Sequence, residues 1–358
     1  MNYSSGQVSI NLKSIKNNYL FLKKFCKSSE VSATVKASSY GLGGENKIVE
    51  ALVKLQCKKF FVANIEEAIK IRKKFKLIDI FVLNGLGINE EKIFFKKNLI
   101  PVLNTYLQFQ KWTYYLKKNY HKKLMINIDT GMNRLGFQKK DVEQLKKNKN
   151  KLDLFKDVMF MSHLACADDK KNLFNKKQRI KFDKLKKDFP NCKYSLAASG
   201  GIFLGKKYHY DMVRPGISLY GGKRTFHKNI KHAVSLKVPV VQVNQIKKGE
   251  SIGYSRTYYT KKNTTTATIP IGYADGLNIR LSNKGFFHFK GKKLPIIGRV
   301  SMDLIILDVT KFKNKIKVGD MIDIYNSDYT IDDFAKQAGT IPYRIITCMS
   351  QRYNKKYI

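Results

Sequence analysis

The chain has 358 residues, 43% hydrophobic and 12% aromatic, which predicts two domains, or one barrel plus a smaller module, and excludes a disordered protein. No apolar run approaches the ~20 residues of a membrane-spanning helix, and the first residues lack the basic-then-apolar pattern of an export signal. The formal charge of +42 invites a polyanionic partner, but only ten of the 69 basic residues are arginines. The lysines are scattered in pairs with no nucleic-acid-binding signature, so a solvated lysine-rich surface is expected, with neither a nucleic-acid nor a membrane partner.

From residue 8 to about 225, short β-branched runs alternate with amphipathic helical stretches. The strands expected are Ser32–Lys36, Phe60–Asn64, Ile78–Leu83, Leu99–Leu103, Leu124–Ile128, Val158–His163, Tyr194–Ala197 and Met212–Leu219. Lysine-rich segments such as Ile15–Phe25 and Phe174–Phe189 carry apolar residues at helical spacing between them. Near-continuous apolar strands alternating with helices indicate a parallel sheet covered by helices. Eight such units predict a closed (β/α)₈ TIM-like barrel, with an open doubly wound sheet as the alternative. After His227 the texture changes to β-rich runs broken by Gly, Asn and Lys turns, with helical periodicity returning only at Ile331–Gly339. The expected division is therefore 1–227, a (β/α)₈ barrel, and 228–358, a mainly β domain. The five cysteines (Cys26, Cys57, Cys166, Cys192, Cys348) are scattered without a Cys-x-x-Cys pair. That pattern points away from zinc or any other metal and from a disulfide framework, and it fits a reducing cytoplasm.

Several strand ends carry chemistry. Lys36, in Thr34-Val35-Lys36-Ala37-Ser38-Ser39-Tyr40-Gly41, ends an apolar strand at what would be the barrel mouth. A lysine there either extends its amine to solvent or, desolvated, forms a Schiff base. Asp129-Thr130-Gly131-Met132-Asn133-Arg134 places an arginine in a mouth-side loop, where it could grip a carboxylate bidentately or simply pair with Asp129. His163 ends the sixth strand. Ser199, Gly216 and Ile217 follow strands seven and eight, where barrels commonly bind phosphate through backbone N–H groups, and Tyr40 could add a hydroxyl.

Seven segments, in order and over essentially the whole chain, resemble the alanine racemase family: VKA-x-x-YG-x-G, DTGM-x-RLGF, SHLACADD, VRPGISLYG, GYSRTY, IPIGYADG and GRVSMD. The resemblance implies a pyridoxal 5'-phosphate-dependent isomerase with a barrel and a C-terminal β domain. Its reaction would interconvert L- and D-alanine and supply D-alanine for peptidoglycan. It further implies that Lys36 carries the cofactor and acts as one base, while Tyr254, reaching in from the partner of a head-to-tail homodimer, acts as the opposing base. His163 and Arg214 would assist, with Arg214 facing the pyridine nitrogen. Tyr40, Ser199, Gly216 and Ile217 would hold the phosphate, Arg134 and the backbone at Met302 the substrate carboxylate, and Tyr273 would narrow the substrate entrance.

Three departures qualify the resemblance. Ser38-Ser39 replaces the usual asparagine and small residue. Asn127 stands where many members carry a carbamylated lysine, so a bound chloride or water is expected in its place. The tail, Ser350-Gln351-Arg352-Tyr353-Asn354, does not show where a phosphate-contacting tyrosine would lie. Related decarboxylases use a late cysteine–aspartate motif that is missing here, and the single-domain relatives lack any segment like that around Tyr254.

Overall fold

The computed structural model describes residues 6–116, 123–222 and 227–358. Strand β1 (Gln7–Ile10) precedes a ring of parallel strands: β2 (Glu30–Val31), β3 (Ala33–Thr34), β4 (Lys59–Val62), β5 (Asp79–Val82), β6 (Ile100–Leu103), β7 (Lys123–Asn127), β8 (Asp157–Met161), β9 (Lys193–Ser195) and β10 (Met212–Val213). Strands β3 to β9 stand side by side in chain order. Closure comes from β10, which pairs in parallel with β2, while Arg214 bridges Ala198 just beyond β9. At the seam the N–H groups of Glu30, Ser32 and Thr34 donate to the carbonyls of Asp211, Val213 and Pro215. A sequential, closed order is that of a (β/α)₈ barrel and excludes the doubly wound alternative, whose strand order reverses at a switch point.

Alternate residues of the strands point to opposite faces, so each strand serves two cores. Phe60, Ile80, Leu124, Ile126 and Phe160 pack outward under the helices. Phe61, Phe81, Val102, Met125, Met159 and Met161 form a separate cluster inside the ring, with the rings of Phe61 and Phe81 stacked 4.8 Å apart. The interior is thus filled rather than hollow. Ion pairs between the N-terminal ends of the strands close the floor: Lys59–Glu30 at 2.6 Å, Lys193–Asp157 at 3.0 Å, and Lys123 with Asp79.

Asparagines cap several of the helices. The Asn11 side chain accepts the Ser14 N–H at 2.8 Å, opening a helix over Leu12–Phe25 that buries Ile15, Tyr19 and Leu22. Asn172 does the same for Leu173–Asp188.

Several expected strands end early, and two of these ends shape the site. That beginning at Ser32 stops at Thr34, and Lys36 opens a short turn instead. Ala37, Ser38, Ser39 and Tyr40 all have positive φ, between 53° and 60°, a left-handed turn that costs L-residues roughly 1–2 kcal/mol each. The strand beginning at Met212 stops at Val213, because Pro215 and Gly216 turn the backbone across the barrel mouth.

The C-terminal domain is built on a six-stranded sheet in the order Lys292–Pro295, Phe286–Phe289, Met321–Tyr325, β11 (Val234–Pro239), β1 and Asn354–Tyr357. Both ends of the chain therefore meet here, with β1 antiparallel to β11 and parallel to the last strand. A three-stranded sheet of Gln242–Ile246, Thr264–Ile269 and Ile305–Asp308 packs beside it. After the expected helix, which runs Ile331–Gln337, a second helix over Pro342–Thr347 brings the domain back onto the barrel mouth.

Candidate active site

A cavity of about 820 Å³ opens at the C-terminal ends of the barrel strands. Lys36, Tyr40, Arg134, His163, Ser199, Arg214, Gly216 and Ile217 all line it, together with Asn127, Asp129 and Asp168. Volume and position suit a cofactor-sized ligand.

Two ends of the cavity differ chemically. At one, the Ser199 hydroxyl accepts the N–H groups of Gly216 at 2.9 Å and Ser218 at 3.3 Å, and it lies 3.0 Å from the Ser218 hydroxyl. A Cβ on residue 216 would sit 1.9 Å from the Tyr40 hydroxyl. Only glycine lets the backbone and the phenol converge there, leaving a cradle of N–H and O–H groups of the kind phosphate oxygens fill. At the other end Arg214 is buried, donating to the Ser195 hydroxyl at 2.5 Å and to the Ser162 carbonyl at 2.6 Å. Burial lowers its pKa to about 9, which leaves it a cation near neutral pH.

His163 meets that cation. Desolvation, then the charges of Arg214, Arg134 and Lys36, lower its pKa to about 3. The imidazole is therefore neutral at any working pH. The Lys36 amine is also pushed below the ordinary lysine range, by burial first and Arg134 second, against an opposing pull from Glu67.

Asp129 does not pair with Arg134. Its carboxylate instead accepts the N–H groups of Gly131 at 2.7 Å and Asn133 at 3.1 Å and the Gln138 amide at 3.1 Å. Burial alone would raise its pKa, but these hydrogen bonds carry it below the usual aspartate value. Asn127 supports the same loop without charge. Its amide donates to Asn104 Oδ1 at 2.9 Å and to the Leu135 carbonyl, next to Arg134, at 3.1 Å. Both amide hydrogens are thereby used on neighbouring protein atoms.

Three expected residues do not line this cavity. Tyr254, Tyr273 and Met302 lie on a face of the C-terminal domain with 72%, 43% and 51% of their surface exposed. They are tied to one another: Gly253 rests on Gly298 and Arg299, the Arg299 guanidinium donates to Ser255, and the N–H groups of Tyr273 and Ala274 donate to the carbonyls of Ser301 and Met302. The cavity has in turn gained Tyr343, with Ile341, Pro342 and Thr347, from the helix over Pro342–Thr347. The Tyr343 ring lies 6.2 Å from that of Tyr40. No local pattern marks Tyr343 in the sequence. Pro342 at the first turn of a short helix was the available signal.

Residues 10–224 match the alanine racemase N-terminal domain, and residues 233–357 its C-terminal domain. The chain belongs to the alanine racemase family. It is 40% identical over 353 residues to an alanine racemase of Rickettsia canadensis, covering 98% of each chain. With a catabolic alanine racemase of Agrobacterium fabrum the identity is 38%, over 99% of this chain and 92% of that one. Among solved structures, the alanine racemase of Bartonella henselae with covalently bound pyridoxal phosphate superposes with a TM-score of 0.94 at 37% identity, covering 99% of this chain and all of the other. The barrel-plus-β architecture is thus the family's. Among the described residues no cluster of three or more metal-ligating side chains occurs, and no helix is long and apolar enough to cross a membrane.

Proposed function

We propose that this member of the alanine racemase family works with two opposed bases, Lys36 of one copy and Tyr254 of a second. The activity is that of a PLP-dependent isomerase interconverting L- and D-alanine, which supplies D-alanine for the cell wall. The observation that carries the two-copy reading is the division of the site: the cavity gathers Lys36, His163 and Arg214, while Tyr254, Tyr273 and Met302 stand exposed elsewhere.

The residues present fit the cofactor. The cradle of Tyr40, Ser199, Gly216 and Ile217 would take its phosphate, Lys36 Nζ would hold it covalently, and Arg214 would face its ring nitrogen. When bound, pyridoxal phosphate supplies a carbonyl that captures amines and a ring that stabilises charge at the α-carbon. Lys36 would remove or return the α-proton on one face and Tyr254 on the other, since inversion is most simply done by two acid–base groups across a plane. Arg214 donates but does not yield a proton near neutrality, so beside the ring nitrogen it would leave that nitrogen without a proton, which would favour returning a proton to the α-carbon. Arg134 and the Met302 backbone would hold the substrate carboxylate, and Tyr273 would narrow the entrance. In one copy Tyr254 lies open to water and apart from the cavity that holds Lys36. A head-to-tail homodimer, each copy covering the other's cavity, would supply the cover. The division at 227/228 belongs to the same proposal, as does a cytoplasmic location, which suits five unpaired thiols.

The purified protein should carry a visible absorption band that borohydride fixes onto Lys36, and it should racemise alanine. Tyr254→Phe should keep the band and lose at least ~100-fold in turnover. Near-normal rates in both directions would refute the two-base reading, and a colourless chain untouched by borohydride would refute the assignment of Lys36.

A further inference from the structure

The turn after Lys36 is held by a side chain that no motif marks. Glu67 lies in the first turn of a helix over Ile65–Lys74, reached by the loop that leaves β4. Its Oε1 accepts the Ala37 N–H at 2.7 Å and its Oε2 accepts the Ala63 N–H at 2.8 Å. One carboxylate thus joins the loop carrying Lys36 to the neighbouring strand–helix loop. Ala37 is also the first residue of the left-handed run, at φ 53°. An N–H in that conformation has left the strand ladder, and Glu67 is its acceptor.

A helix-opening acid is common simply for the dipole, and Glu66 sits beside Glu67 in the same turn. Glu67 differs because both of its oxygens are engaged off the helix, one of them on the residue that follows Lys36. The charged and titratable groups facing Lys36 are Arg134 from the loop after β7, His163 from the loop after β8, and Glu67. Asp129, Asp168 and Arg214 line the same cavity. Arg134 opposes a proton on the amine, the neutral His163 contributes no charge, and Glu67 favours the proton.

We propose that Glu67 is a positioning residue for Lys36: its carboxylate pins the left-handed turn at Ala37 and sets negative charge beside the amine. This rests on Lys36 being the residue that carries the cofactor. Glu67 does not line the cavity, and its effect reaches the reaction through where Lys36 stands and how readily it gives up its proton.

The test measures pyridoxal phosphate fixed to Lys36 by borohydride, located by peptide mass, as a function of pH and cofactor concentration. Glu67→Gln keeps the shape and one acceptor but removes the charge. Its half-maximal pH should fall by about half a unit or more, because the neutral amine then appears at lower pH. Its cofactor retention should weaken roughly tenfold with the loss of a charged hydrogen bond. Glu67→Asp, which keeps charge but shortens the reach, should hold the midpoint near its original value while retention weakens. A helix-capping role alone would move melting temperature in both variants and leave the midpoint and retention untouched, and that result would overturn the proposal. If Glu67→Gln does not fold, an unchanged retention in Glu67→Asp overturns it equally. Failure of the unaltered chain to fix cofactor on Lys36 would overturn the Lys36 assignment and this inference together, whereas normal fixing with unmoved variants would overturn this inference alone.

Discussion

His163 shows how environment sets the behaviour of one residue. Held in the folded chain with a pKa near 3, against an ordinary histidine value of 6.5, it must stay neutral where an unfolded chain would protonate it. Between those two values the unfolded state binds more protons. Folded stability therefore falls as pH drops from 6.5 toward 3, and above 6.5 the residue contributes no pH dependence. Replacing it with glutamine should flatten that part of the stability curve, measured by denaturant unfolding of the cofactor-free chain at stepped pH. An unchanged slope would mean that the imidazole protonates freely in the fold. Lys36 and His163 were legible in the sequence because each follows an apolar run that reads as a strand, where barrel chemistry gathers, and Arg214 because of the family motif around it. Glu67 was not, since its contact is with backbone N–H groups, and those carry no sequence signature.

At the scale of elements, the loops bearing Tyr273 and Met302 act as one platform. A Cβ on Gly272 would lie 2.1 Å from the Met302 carbonyl, so only glycine allows the two loops to meet. The Asp275 carboxylate accepts the Gly272 N–H at 3.0 Å, while Arg352 from the C-terminal tail pairs with Asp303, the residue after Met302, and approaches Asp275 at 4.0 Å. The tail thus steadies the platform, while Tyr343, upstream on its own helix, lines the cavity. Arg352→Ala should raise the KM for alanine by roughly threefold, with cofactor retention and melting temperature nearly unchanged, because an exposed ion pair holds little stability of its own. A loss of cofactor in that variant would show that the tail acts on the cavity instead. The pattern of strands and the barrel itself could be read from apolar runs alone. The left-handed turn after Lys36 could not, because Ala37, Ser38, Ser39 and Tyr40 include no glycine to announce it.

The whole molecule poses the question of completeness. One copy has a cavity with Lys36, Arg134, His163 and Arg214, and a separate face with Tyr254, Tyr273 and Met302. Sequence motifs named both sets, and only the family resemblance implied that Tyr254 belongs to a partner copy, because motif order along a chain carries no distances between domains. If each competent site needs a cavity from one copy and a face from another, two inactive variants can repair each other. On the two-base proposal, Lys36→Ala would lose the cavity's base and Tyr254→Phe the face's base. A dimer mixed from the two has one site with both residues intact. Mixing the variants in equal amounts, after a treatment that exchanges subunits, should restore about a quarter of the unaltered activity, because half the dimers are mixed and each has one working site of two. No activity from a mixture in which subunit exchange has been verified would contradict a site shared between copies.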